Sequence, residues 1–173
     1  SPGPDALSAK IISHVFNIYP NLLKHLYNKC LDFASFPERW KTSVVKIIPK
    51  CFTVEPTAKS FRPISLLNVL GKILEKLIYD RLLFWTHNSP TTTISTRQYG
   101  FMPQKSAEDA INEVVKRQRK IRDSYHYGIV VSLDISSAFD CASWKHILAT
   151  LKNYQIPSNI YYLIENYFSN RRA

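Results

Sequence analysis

Ile129-Val130-Val131-Ser132-Leu133-Asp134-Ile135-Ser136-Ser137-Ala138-Phe139-Asp140 is the stretch on which the reading of this chain turns. Gly128 opens it, and the apolar run 129–133 has the length and β-branched character of a buried strand. That strand should end at Asp134. Strand ends are where a sheet presents reactive side chains, because the backbone is fixed and the next residues turn into solvent. A carboxylate one residue past such a run is costly to desolvate unless something meets it. Two readings stand open here: a ligand of Mg2+, which takes one or two carboxylates plus substrate phosphates, or a cap on the following turn.

Upstream, apolar residues from Leu7 to Ala34 keep helical spacing, and Pro20 splits them into two helices. Phe36-Pro37-Glu38-Arg39-Trp40 reads as a turn. Thr42 to Ile48 alternates and is β-branched, so it should be a strand, with a second extended stretch around Phe61-Arg62-Pro63-Ile64. A long helix is expected from about Asn68 to Thr86, since Val69, Leu70, Ile73, Leu74, Leu77, Ile78 and Leu82 share one face. His87 to Gln98 is polar and loop-like. Ser106, with Asp109 three residues on, caps a helix running to about Arg122. Two more helices, Ser143 to Tyr154 and Pro157 to Asn170, come after Asp140, and Pro157 suits a first turn. The pattern is α+β, rich in helix with a few strands.

Composition narrows the functional classes. At 173 residues and 45% hydrophobic, the chain has the material for a packed core. No apolar run approaches the roughly 20 residues that span a bilayer. The opening SPGPDALSAK lacks the basic start and apolar middle of a secretory signal, so an intracellular setting, nuclear or cytoplasmic, is expected. Three scattered cysteines and isolated histidines argue against zinc, which needs closely spaced ligand pairs. The net charge of +10 favours an anionic partner, and the densest run is Lys116-Arg117-Gln118-Arg119-Lys120-Ile121-Arg122. A solvated helix face would look the same.

The wider sequence supplies a resemblance. Leu133 to Asp140, in the form LD-x-x-x-AFD, resembles the first catalytic motif of reverse transcriptases of LINE-type, non-LTR retrotransposons. Other blocks fit in order: Ser1-Pro2-Gly3-Pro4-Asp5, Phe36 to Lys41, Ile48-Pro49-Lys50, and Phe61 to Leu67. They are followed by Gly71 to Lys76, Gln98-Tyr99-Gly100-Phe101, Ser106 to Ala110, and Tyr167 to Arg172. The resemblance spans essentially the whole chain. Two positions depart from it: glycine is common where Ala6 and Gln104 stand.

The resemblance implies a right-hand polymerase fold, with residues 1–125 as fingers behind an N-terminal helical extension and residues 126–173 as the start of the palm. By the same resemblance, Asp134 would ligate two catalytic Mg2+ ions, with the Ile135 carbonyl touching one of them. Phe139 would stack beneath the incoming sugar and exclude a 2′-hydroxyl; core packing is its bland alternative. Asp140 would be structural. Arg62 would grip the triphosphate of the dNTP, its fixed fork of donors matching phosphate oxygens, and Lys50 or Lys59 would add a contact. Gln98, Tyr99, Gly100 and Phe101 would lie along the RNA template, and Lys116, Arg117, Arg119 and Lys120 on nucleic-acid backbone. The implied partners are an RNA template, a DNA primer and dNTPs.

The family's second motif, aromatic-x-Asp-Asp, supplies the partner carboxylates, and nothing after Asp140 resembles it. These residues alone are therefore expected to be inactive, needing the remaining palm and thumb. A non-catalytic nucleic-acid-binding remnant is the alternative, although Asp134, Arg62 and Phe139 standing together favour an origin in an active polymerase. Phe139 also speaks against a viral RNA-dependent RNA polymerase, whose gate must admit the 2′-hydroxyl.

Overall fold

The computed structural model describes residues 2–50, 57, 60–89, 92, 94–124 and 126–173. In chain order it contains α1 (Ala9–Ile18), α2 (Pro20–Asp32), a 3-10 turn at Glu38–Trp40, β1 (Val44–Pro49) and β2 (Phe61–Leu66). Then come α3 (Val69–Asn88), α4 (Ala107–Asp123), α5 (Trp144–Asn153) and α6 (Ser158–Phe168). The expected balance of many helices and few strands is what forms. Two compact units result, one of Ser1–Ser89 with Ser143–Ala173, the other of Pro90–Ala142.

Local signals set most boundaries of the first unit. Ser8 caps α1 by accepting from the Ile11 N–H, and Pro20 opens α2, where its missing N–H would be unsatisfied anyway. Ser143 caps α5 in the same way through the His146 N–H. Pro157 sits one residue ahead of α6, as its N-cap. α3, at 20 residues, is roughly 30 Å long and forms the spine of the unit.

The core forms where α2, α3 and α6 meet the segment 36–41. Leu74 of α3 and Leu163 of α6 are fully buried, with Tyr27, Cys30 and Leu31 of α2 beside them. Phe36 meets Trp40 and Tyr167 edge-on, with ring centroids 6.1 and 4.9 Å apart. Gly71 lets α3 close on this cluster, since a Cβ there would stand 3.2 Å from Cβ of Trp40. The reading of 36–40 as a turn thus understates it: Phe36, Trp40 and Lys41 are all buried. Lys41 Nζ donates to Glu38 at 2.6 Å and to Ser169 at 3.4 Å, which satisfies a cation that burial alone would penalise.

The same segment anchors the C-terminal residues. The Phe36 N–H donates to Oδ1 of Asn166 at 2.8 Å. The Arg172 N–H donates to the Lys41 carbonyl, and the Ser43 N–H to the Arg172 carbonyl, forming a parallel bridge between Thr42 and Arg172. Two sequence blocks about 130 residues apart therefore close on each other. At the other end, Gly3 lies against the start of α3, where a Cβ would come within 2.5 Å of the Asn68 nitrogen.

Two buried phenols give this unit a pH signature. The Tyr27 hydroxyl donates to the Leu70 carbonyl, and burial, with the Cys30 thiol nearby, pushes its pKa up to about 12. Burial and then the hydrogen bond to Glu75 hold Tyr167 well above the usual tyrosine range. A folded pKa above the unfolded one stabilises the fold below the ordinary value near 10, and that stability is lost as pH rises through the folded value. Circular dichroism should therefore show unfolding between pH 10 and about 12, with part of the tyrosinate absorbance appearing in the same step. Ionisation of every tyrosine near pH 10 in an intact fold would contradict this packing.

The second unit differs in kind. Its helix α4 is well capped: Ser106 accepts from the Asp109 N–H, and Asp109 accepts from the Ser106 N–H and hydroxyl. Yet among its described residues no hydrophobic side chain is buried. The strand expected at 129–133 does not form; these residues belong to no helix or strand. Ile129 is 91% and Leu133 89% exposed rather than buried. The reason is that a strand exists only within a ladder. Among the described residues the one sheet is the β1–β2 hairpin, and it does not include this run.

Candidate nucleotide and nucleic-acid site

The hairpin holds the first group of candidate residues. β1 and β2 pair antiparallel with Ile48 opposite Arg62 and Pro49 opposite Phe61, and the Lys50 N–H extends the ladder to the Ser60 carbonyl at 2.8 Å. Arg62 is exposed, and Pro63 beside it has no N–H to give. Lys50 is exposed as well. Lys59, the alternative second phosphate contact, lies outside the described residues. The guanidinium of Arg62 has no hydrogen-bond or ion-pair partner among the described residues, so its donors stay available to a phosphate.

Asp134, Ile135 and Phe139 belong to the second unit, on the segment that leaves the apolar run. All three are exposed, Phe139 by 83%. After Asp134 the chain turns: Ser137 takes a left-handed conformation at φ 53°, and its carbonyl accepts from the Cys141 N–H at 3.0 Å. The Asp134 carboxylate accepts no hydrogen bond from the described residues, so the capping reading finds no support. Core packing of Phe139 is likewise not what is seen. Its ring instead meets Phe101 edge-on, with centroids 6.4 Å apart and planes at 84°. Two blocks well separated in the sequence are thereby brought together.

The loop carrying Phe101 is organised by a residue that sequence reasoning missed. Lys105 Nζ donates to the carbonyls of Thr96 and Gln98, at 2.6 and 2.9 Å, and stands 5.2 Å from the Tyr99 ring centroid. The signal that could have found it is a lysine closing an aromatic loop of few residues. Gln98 Nε2 donates to the Gly100 carbonyl. A Cβ on Gly100 would meet nothing closer than that Nε2, at 3.6 Å, so nothing among the described residues demands glycine there. Gln104 and Ala6, the two departures from the glycine pattern, sit at φ 60° and 57°. Glycine adopts this region freely, whereas a Cβ costs roughly 1 kcal/mol or more.

On α4, Lys116, Arg117, Arg119 and Lys120 are exposed. Arg117 Nε donates to Glu113 at 2.8 Å, and that contact holds the Glu113 carboxyl below its usual range. The other three form no salt bridge among the described residues.

A divalent ion would find the right kind of donor here but too few of them. Asp134 and the Ile135 carbonyl are hard oxygens suited to Mg2+. No three histidine, cysteine, aspartate or glutamate side chains cluster among the described residues. No helix in that set is long and apolar enough to cross a membrane.

Residues 48–173 match the family model described as reverse transcriptase (RNA-dependent DNA polymerase). The whole chain is similar, at 33% identity, to a retrovirus-related Pol polyprotein from the type-1 retrotransposable element R1 of Bradysia coprophila, covering 17% of that protein. It is 30% identical over 99% of its length to an RNA-directed DNA polymerase from the mobile element jockey of Drosophila melanogaster, covering 18% of it. A type-2 element, R2DM of the same fly, matches at 27% over 96% of the chain and 15% of its own length. The chain thus spans less than a fifth of the length of these relatives.

Proposed function

Because this chain belongs to the reverse transcriptase family, we propose that it is the nucleotide-gripping part and the start of the catalytic centre of an RNA-directed DNA polymerase from a non-LTR retrotransposon. Residues 1–125 serve as fingers and 126–173 as the beginning of the palm. Asp134, with the Ile135 carbonyl, is a ligand of the catalytic divalent metal, Mg2+ in this reading. A bound ion there supplies Lewis-acid stabilisation to the transferring phosphoryl group. Arg62, with Lys50 and Lys59, binds the dNTP phosphates, and Phe139 screens the sugar. Gln98, Tyr99, Gly100 and Phe101 contact the RNA template, and Lys116, Arg117, Arg119 and Lys120 hold nucleic-acid backbone. The setting is inside the cell, where RNA, primer and dNTPs meet.

The observation that carries this reading is the turn that leaves Asp134 and, five positions on, Phe139 exposed, with no hydrogen bond to the Asp134 carboxylate among the described residues. One carboxylate does not assemble a metal pair, so the 173 residues bind nucleic acid without extending a primer and require the rest of the polymerase. Binding should be electrostatic, with log affinity for an RNA–DNA duplex falling linearly against log salt concentration. The test is fluorescence anisotropy over a salt series, alongside primer extension with Mg2+ and dNTPs. Salt-independent binding, or extension by these residues alone, would overturn the proposal.

A further inference from the structure

The hairpin that presents Arg62 carries another cation on the same face. In an antiparallel ladder, directly paired side chains share a face and successive ones alternate. Lys46 pairs with Ile64, and Ile48 with Arg62, so Lys46 and Arg62 project from one side. Lys50 lies four residues past Lys46, just beyond the last paired residue, and its N–H donates to the Ser60 carbonyl. The opposite face is formed by Val45, Ile47, Pro49, Phe61, Pro63 and Ser65, and it bears no charge. The strand rise puts the Cα atoms of Lys46 and Lys50 about 13–14 Å apart, with Arg62 between them on a strand about 5 Å away.

The pair Lys46 and Arg62 is unfavourable for the fold alone. Like charges on neighbouring strands repel, and Lys46 and Arg62 have neither a carboxylate nor a hydrogen-bond partner among the described residues. Every position of β1 is exposed, so no buried contact explains Lys46 either. A row of cations on one face of a two-stranded ribbon suits a ligand with several phosphates, and an ammonium with three rotatable donors accommodates phosphate oxygens from many directions.

We propose that Lys46 is a further phosphate-binding residue, extending the grip of Arg62 along the hairpin. The inference rests on the phosphate role proposed for Arg62. The phosphate belongs either to the incoming nucleotide or to a nucleic-acid strand lying beside it; the chemistry is shared and two probes separate the sources.

The experiment uses the whole 173-residue chain, with inorganic tripolyphosphate and a 5′-overhanging RNA–DNA duplex as probes at low salt. The variants are Lys46→Gln, Lys46→Arg, Arg62→Gln and, as a charge control on α1, Lys10→Gln, each checked for fold by circular dichroism. Lys46→Gln is expected to weaken binding about three- to fivefold, the scale of one exposed charge contact. Lys46→Arg should retain binding, and Lys10→Gln should change it little. Weakening for tripolyphosphate alone assigns the nucleotide phosphate, for the duplex alone the strand phosphate, and for both the shared row; each supports the proposal. If Lys46→Gln behaves as Lys10→Gln while Arg62→Gln weakens binding, the role of Lys46 is wrong and that of Arg62 stands. If Arg62→Gln also binds both probes like the parent, the phosphate reading of the hairpin falls with it.

Discussion

Asp134→Ala, made in the polymerase that contains these residues, should reduce primer extension at least about a thousandfold, equivalent to roughly 4 kcal/mol of transition-state stabilisation. The substitution should leave the fold intact. Asp134 is exposed and its carboxylate makes no hydrogen bond to a described residue, so its removal breaks no packing and leaves no buried group unpaired. Affinity for the RNA–DNA duplex should change little, because the proposed backbone contacts lie on α4 and around 98–101. The check is extension rate and duplex affinity measured on the same preparations. Equal extension by variant and parent would sink the assignment of Asp134.

Trp40→Ala should lower the stability of the chain by about 3–5 kcal/mol, a large part of the roughly 5–15 kcal/mol typical of a folded domain. Trp40 is 8% exposed and packs against Phe36, Tyr27 and the face of α3 at Gly71. Its removal opens a cavity where α2, α3 and the segment 36–41 meet, and it loosens the support of buried Lys41. Phe33→Ala, at a position 71% exposed, should cost under about 1 kcal/mol. Denaturant unfolding followed by circular dichroism compares the two. A small loss for Trp40→Ala would mean that the segment 36–41 does not centre the core.

What was legible in the sequence was mostly local. Ser106 announces the helix it caps, Pro20 announces a break, and the apolar spacing of α3 fixes its buried face, whereas the caps at Ser8 and Ser143 emerge only in the structure. The alternation in 42–48 finds its partner at 61–66 because the two are close in the chain. The run 129–133 misleads because strandness is a property of pairs. Val130 and Val131 have the propensity, but no neighbouring strand among the described residues completes a ladder. Likewise, nothing near Lys41 says that it is buried, since Ser169 and Arg172, which meet it, lie about 130 residues away.

The candidate site divides along the same line. Asp134, Phe139 and Arg62 stand out because their blocks are specific and ordered. Contacts between blocks, Phe101 on Phe139 or Lys105 on the carbonyls of 96 and 98, depend on loop geometry and leave no trace in spacing. The resemblance did point to backbone geometry at Ala6 and Gln104, where glycine is the common residue and the chain adopts a left-handed turn.

The proposal that the turn after Asp134 faces the incoming nucleotide makes Phe139 the residue to change. Loss of activity can arise from misfolding, whereas a gained activity cannot, so the decisive quantity is ribonucleotide incorporation by the polymerase carrying Phe139→Val. Removing the ring should raise the efficiency of rNTP use relative to dNTP use by roughly 10- to 100-fold, the scale on which pocket volume discriminates. An unchanged preference for dNTPs, in a variant that extends primers as well as its parent, would mean that this turn does not face the sugar.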